Sequence, residues 1–159
     1  MLALGSKAPD FKLQLDTGRS FHLRSTTGKR ILVVAFFPED FSKDDLADAE
    51  AFFPYIQQAQ SFGALVLVIC PKPMQRLRRL LAKHELSLAI ASDPTLEVCR
   101  NYRAMWLRGL GLRRIMYVID RKGTIRGRVS NQLLDSQPWE QTLEVLRELD
   151  ATNGLKKKK

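Results

Sequence analysis

The sequence predicts an α/β domain in which a mixed central sheet carries helices on both faces. Two short apolar runs rich in β-branched residues, 31–37 and 64–70, stand on either side of a segment with helical spacing. Strand and helix patterns then alternate, and two further strand patterns flank the turn Asp120-Arg121-Lys122-Gly123 ahead of one closing amphipathic segment. A chain of 159 residues suffices for one core. Its 45% apolar and 27% charged residues exclude disordered, collagenous and disulfide-scaffold classes.

Taken in order, residues 11–15 and 20–23 read as extended pieces joined by the turn Asp16-Thr17-Gly18, a hairpin. Residues 31–37 are too short for a helix and suit a strand covered on both faces, which Pro38 ends. Residues 43–62 place Leu46, Ala49 and Phe53 at helical steps, with Pro54 expected to kink or break the segment and Gly63 to terminate it. Residues 64–70 form a second strand, 74–85 a helix with Leu77, Leu80 and Leu81 inward, and 86–91 a third strand. Asp93-Pro94 opens a short helix over 95–103. Residues 115–119 and 124–129 make the second hairpin, and 138–149 close the chain as a helix with Leu143, Leu146 and Leu149 inward. That order is the order of a thioredoxin-like fold, with one domain over residues 1–150 and a lysine-rich tail over 151–159.

Several landmarks add a resemblance. They are Gly5-Ser6-Lys7-Ala8-Pro9-Asp10-Phe11, Gly28-Lys29 before the first core strand, Phe36-Phe37-Pro38-Glu39-Asp40 at its end, Ser92-Asp93-Pro94, and Arg114-Ile115-Met116-Tyr117-Val118-Ile119-Asp120 followed by Gly123. In this order the chain resembles the peroxiredoxins, thiol-dependent peroxidases of the AhpC/TSA type, and in particular their bacterioferritin-comigratory branch. The resemblance implies a loop after the first core strand that carries proline, a hydroxyl residue four positions on, and the peroxide-attacking cysteine three beyond that. Pro38 and Ser42 fill the first two positions, and Asp45 fills the third. The branch's second cysteine would fall at Glu50, and the family's active-site arginine matches Arg114. On this reading the site is degenerate, and Ser42 serves as a helix cap.

A thiolate attacks the O–O bond because sulfur is polarisable and the sulfenic acid it forms is reversible by another thiol. A carboxylate has no such cycle. Residues 39–50 also sum to −5, with Glu39, Asp40, Asp44, Asp45, Asp48 and Glu50 against Lys43, the opposite of what lowers a thiol pKa. Asp45 is therefore expected to pair with Arg114, either as a structural ion pair in place of a catalytic contact or as an imitation of an over-oxidised cysteine.

Cys70 and Cys99 are too few for a disulfide framework and show no metal-ligand spacing, so no metal or cofactor is expected. Both are expected to be buried, with a residual redox role open for Cys99, whose neighbour Arg100 would favour a thiolate. His22 and His84 have no acid–base partner nearby in sequence.

The formal charge is +9, of which Lys156, Lys157, Lys158 and Lys159 supply four. Residues 100–128 alone sum to +8, with Arg100, Arg103, Arg108, Arg113, Arg114, Arg121, Lys122, Arg126 and Arg128 against Asp120, and with Trp106 among them as a candidate anchor. Arginine forks suit carboxylates and phosphates. An acidic protein partner or larger complex is the leading expectation, met by this Arg-rich face and the lysine tail. A nucleic acid, an anionic membrane surface or a homodimer are the alternatives. No run approaches the roughly 18 apolar residues of a membrane span and no cleaved-signal pattern opens the chain, so the expected location is cytoplasmic. The leading functional expectation is a redox-inactive interaction subunit or assembly factor on an inherited fold. The alternative is a thiol-dependent peroxidase using Cys99 or Cys70.

Overall fold

A computed structural model describes residues 1–37, 56–84, 89–106, 111–130 and 137–156. In it, β1 (Lys12–Leu15) and β2 (Ser20–His22) form the first hairpin, and a 3-10 turn over Leu23–Ser25 leads to β3 (Ile31–Phe36). Residues 56–61 are helical. β4 (Ala64–Cys70), α1 (Met74–His84), β5 (Ala89–Ser92) and α2 (Glu97–Asn101) follow. The chain then runs through β6 (Met105–Trp106), β7 (Gly111–Leu112), β8 (Ile115–Ile119), β9 (Ile125–Ser130) and α3 (Gln137–Lys156).

Seven strands make one mixed sheet in the order β2-β1-β5-β4-β3-β8-β9. β3, β4 and β5 are parallel, while β8 joins β3 and β1 joins β5 antiparallel. The parallel centre explains the sequence of β3: all six of its residues are buried, so each face demands apolar side chains. Ile31, Val33 and Ala35 enter one layer with Leu77 of α1 and Leu143 and Leu146 of α3. Leu32, Val34 and Phe36 enter the other, with Val98 and Cys99 of α2 and Tyr102 beyond it. At Gly127 a Cβ would lie 3.0 Å from Val145 Cγ1 and 3.2 Å from Val118 Cγ2, so glycine there allows α3 to rest on β9.

Some boundaries differ from expectation. α2 starts at Glu97, not at residue 95, because Leu96 holds φ 59° and cannot belong to a right-handed helix. α3 begins one residue early and continues past residue 149 to Lys156, crossing the expected domain boundary at 150. The β6–β7 ribbon went unforeseen, since two-residue strands leave no periodicity to read. Pro54 and the segment around it, residues 86–88, and the side chains of Leu80 and Leu81 lie outside the described residues.

The β8–β9 hairpin is fastened by Asp120. Its Oδ1 accepts the backbone N–H groups of Lys122 (2.8 Å) and Thr124 (3.0 Å), and its Oδ2 accepts Arg126 Nε (2.6 Å). Burial alone would raise this carboxyl, but the Arg126 hydrogen bond and the two amides hold it below the ordinary 3.8. Arg126 is 45% exposed, so its ion pair contributes about 0–1 kcal/mol and the amides dominate. Asp120→Ala should therefore cost about 1–3 kcal/mol at neutral pH. Because the folded pKa is depressed, that contribution is complete above the unfolded value and is lost as pH falls through the folded one. Urea midpoints should converge for the two proteins as pH falls below the ordinary 3.8 of a free aspartate, and a constant gap would contradict this account.

Candidate functional site

Arg114 immediately precedes β8, and register pairing of Ile115 with Phe36 brings it to the C-terminal end of β3. There its guanidinium lies over the Phe37 ring, 5.6 Å from the centroid. Phe37 is itself tied to the sheet by its N–H to Ile69 O (3.1 Å). The arginine thus stands where the chain enters the loop that the resemblance singles out. Pro38, Ser42, Asp45 and Glu50 lie outside the described residues, so the expected Asp45–Arg114 pair has no geometry to report.

The two thiols are both sealed. Cys70 ends β4 and Cys99 sits in α2, each at 0% exposure; strand alternation puts Cys70 in one core layer with Val66 and Val68, and Cys99 lies in the other with α2. Asp93, also buried, organises the ground around them. Its N–H donates to Cys70 O (2.9 Å), its carbonyl accepts Leu96 N–H (3.0 Å), and its Oδ2 accepts Cys99 N–H (2.8 Å). Leu96, in the left-handed region, offers no side-chain cap to α2, so the Asp93 carboxylate supplies one from six residues upstream. Burial pushes the Cys99 thiol well above its ordinary value, and the Asp93 carboxylate raises it further. The expectation that Arg100 would favour a thiolate is corrected here: Arg100 Nη2 donates to Thr95 O (2.8 Å), and the charge that acts on the sulfur is negative.

Among the described residues several of the basic side chains have local partners. Arg126 is engaged with Asp120, Arg100 turns back to its own helix start, and Arg121 Nε donates to Lys29 O (3.3 Å). Arg103, Arg113 and Arg128 are brought together instead. Arg128 pairs with Tyr117 across the β8–β9 ladder and its Nη1 donates to Leu2 O (2.6 Å). Leu2 N–H donates to Tyr117 Oη (3.1 Å), which donates to Tyr102 O (2.7 Å), next to Arg103. Arg113 N–H donates to Ala104 O (2.6 Å). Arg108 and Lys157, Lys158 and Lys159 lie outside the described residues, as do the side chains of Trp106 and Lys156.

His22 meets a partner that lies twelve residues away in sequence. Its Nε2 lies 3.0 Å from Asp10 Oδ2, which also accepts Arg24 Nε at 2.8 Å. The β1–β2 hairpin, not sequence proximity, makes this surface triad, and its exposure gives it a structural character. α1 is a further basic element: Arg76, Arg78 and Arg79 are exposed on it with no acid in its first turn. Arg78 Nε donates to Asp16 O (2.9 Å), fastening α1 to the first hairpin. Among the described residues no group of His, Cys, Asp and Glu is placed to hold a metal ion, and no helix is long and apolar enough to cross a membrane.

A model of the AhpC/TSA family matches residues 4–128. The chain is 23% identical over 130 residues to peroxiredoxin Bcp of Bacillus subtilis, covering 78% of this chain and 82% of that protein. It is 27% identical over 146 residues to the chloroplastic peroxiredoxin Q of Oryza sativa subsp. japonica, covering 91% and 67%. Among solved structures, peroxidoxin BcpB of Mycobacterium tuberculosis superposes with a TM-score of 0.80 at 19% identity over 93% of this chain and 98% of that one. The bacterioferritin comigratory protein of Xanthomonas campestris does so with a TM-score of 0.77 at 19% identity over 88% and 92%. At such identities the superpositions establish a shared thioredoxin-like fold.

Proposed function

The chain belongs to the AhpC/TSA family, and from that premise we propose that it uses the peroxiredoxin fold as an interaction scaffold and does not turn over hydroperoxides. The observation that carries this reading is the state of its sulfur. Both cysteines are fully buried, and the Cys99 thiol is held far from ionisation beside a buried carboxylate. A peroxide needs an accessible thiolate, and neither residue offers one. Asp45, at the position the resemblance gives to the attacking cysteine, adds no nucleophile of comparable chemistry. The convergent arginines supply what a scaffold needs, a basic surface suited to an acidic protein partner.

The second reading is a thiol-dependent peroxidase working through Cys99 or Cys70. The relatives favour it over the first, since those named above are called peroxiredoxins. Through Cys99 it requires opening of the α2 region, and through Cys70 opening of the other core layer.

Hydroperoxide consumption by the purified chain with a dithiol donor separates the two. The scaffold reading expects none above the rate without protein. Sustained turnover abolished by Cys99→Ser or Cys70→Ser would establish the peroxidase instead. For the scaffold itself, affinity isolation at low salt should recover a companion that is lost when Arg103, Trp106 and Arg108 are changed together to alanine. Recovery of the same companions by both proteins would remove the basic face from the proposal.

A further inference from the structure

Arg103, Arg113 and Arg128 come together around the C-terminal end of α2. α2 ends in a Schellman motif: Arg103 N–H donates to Arg100 O and Ala104 N–H to Cys99 O, both at 2.9 Å. The residue in the left-handed position of that motif is Arg103 itself, at φ 54°. Glycine is the usual occupant there, and a residue with a Cβ costs on the order of 1 kcal/mol more. The strained position directs attention to the side chain that occupies it.

Arg113 is the second part. Its side chain is half-buried, and its Nε is buried with no acceptor among the described residues, leaving one donor of the fork unsatisfied. Arg128 is the third, exposed on β9 and steadied by Leu2 O. Arg24 and Arg126 each have a carboxylate, Asp10 and Asp120, whereas among the described residues no carboxylate pairs with Arg103, Arg113 or Arg128. Hydrogen bonds bring the three positions together: Arg128 Nη1 donates to Leu2 O, Leu2 is linked through Tyr117 Oη to Tyr102 O beside Arg103, and Arg113 N–H donates to Ala104 O on the other side of Arg103. The α-amino group of Met1 is lowered by burial and then by the charges of the same three arginines.

We propose that Arg103, Arg113 and Arg128 form a binding site for a phosphate dianion, either free or as the terminal group of a small phosphomonoester. Three guanidiniums would over-neutralise a single carboxylate, whereas a phosphate offers two charges and several acceptor oxygens to their forks. The Tyr102–Tyr117–Leu2 hydrogen-bond chain fixes the elements that carry Arg103 and Arg128, so the site is largely preorganised.

The test is a titration of the full chain with inorganic phosphate by calorimetry, with ionic strength matched by sodium chloride, and a parallel titration with glycerol 3-phosphate. The wild type should bind at least one of the two saturably. Tighter binding of the monoester would assign the site to phosphorylated small molecules, and equal binding to free phosphate. Arg128→Gln and Arg103→Gln should each weaken binding about tenfold or more. Arg103→Gly keeps the left-handed turn while removing the guanidinium, and should do the same in a fully folded protein. Arg24→Gln, an equal loss of charge elsewhere, should leave binding unchanged. Absence of a saturable response from both anions, or equal weakening in Arg24→Gln, would overturn the site. Arg103 enters both tests, so Arg128→Gln, which is outside the Arg103, Trp106 and Arg108 set, separates failure of the anion site from failure of the scaffold reading.

Discussion

Replacing Tyr102 with alanine should cost the fold about 3–5 kcal/mol, the range for deleting a buried aromatic side chain. Tyr102 is fully buried and sits among three rings, with centroids 5.3 Å away at Phe36, 5.6 Å at Tyr117 and 5.8 Å at Phe11. Two of these contacts are edge-to-face, the arrangement that adds to plain burial. Its hydroxyl donates to Pro9 O (2.8 Å), so one side chain joins the end of α2, the central strand β3 and the N-terminal segment. Tyr102→Phe keeps the rings and removes only that hydrogen bond, at a cost of about 1 kcal/mol. Urea unfolding of both variants checks this. An alanine variant that loses less than about 2 kcal/mol would mean the cluster closes over the cavity.

Asp93→Ala should have the next largest effect, a loss of about 2–3 kcal/mol joined to a change in thiol chemistry. The substitution removes the acceptor of the buried Cys99 N–H and with it the only side-chain cap that the described residues give α2. A frayed α2 exposes Cys99, so the rate of labelling by a thiol reagent under native conditions should rise well above that of the wild type, in which both sulfurs are sealed. Asp93→Asn retains a carbonyl oxygen for the same amide, and Oδ1 has no partner to lose among the described residues. It should therefore stay closer to the wild type on both measures. Equal labelling of the wild type and the alanine variant would show that the helix start is held by other contacts.

The same two residues illustrate how far the sequence could be read. Cys99 is buried as expected, and Tyr102, just past the end of α2, is buried as well. Nothing in the spacing tells that Asp93 caps α2 across a left-handed leucine, because the cap lies six residues from its target, where the serine or aspartate cap of a regular helix lies two or three. Asp10 and His22 are twelve residues apart and meet only through the hairpin. The arginines were countable as a charge sum of one stretch, yet that sum could not distinguish Arg126, neutralised by Asp120, from Arg103 and Arg113. Local charge counts carry no directions, and pairing depends on directions.

By itself the sequence determined the sheet and its covering. Two-sided burial requires unbroken runs such as 31–37 and 64–70, and the alternation of strand with helix leaves few ways to stack them. It also determined that sulfur is scarce and that acidic and basic residues are segregated along the chain. Only the tertiary structure decided which charges are spent on one another and which remain to act outward. Arg103 follows α2, Arg113 lies between β7 and β8, and Arg128 is on β9; the hydrogen bonds from Leu2 through Tyr117 to Tyr102 link the first to the last, and Arg113 N–H on Ala104 O links the second. Contacts at that sequence separation are set by packing of the completed core, which no local pattern encodes.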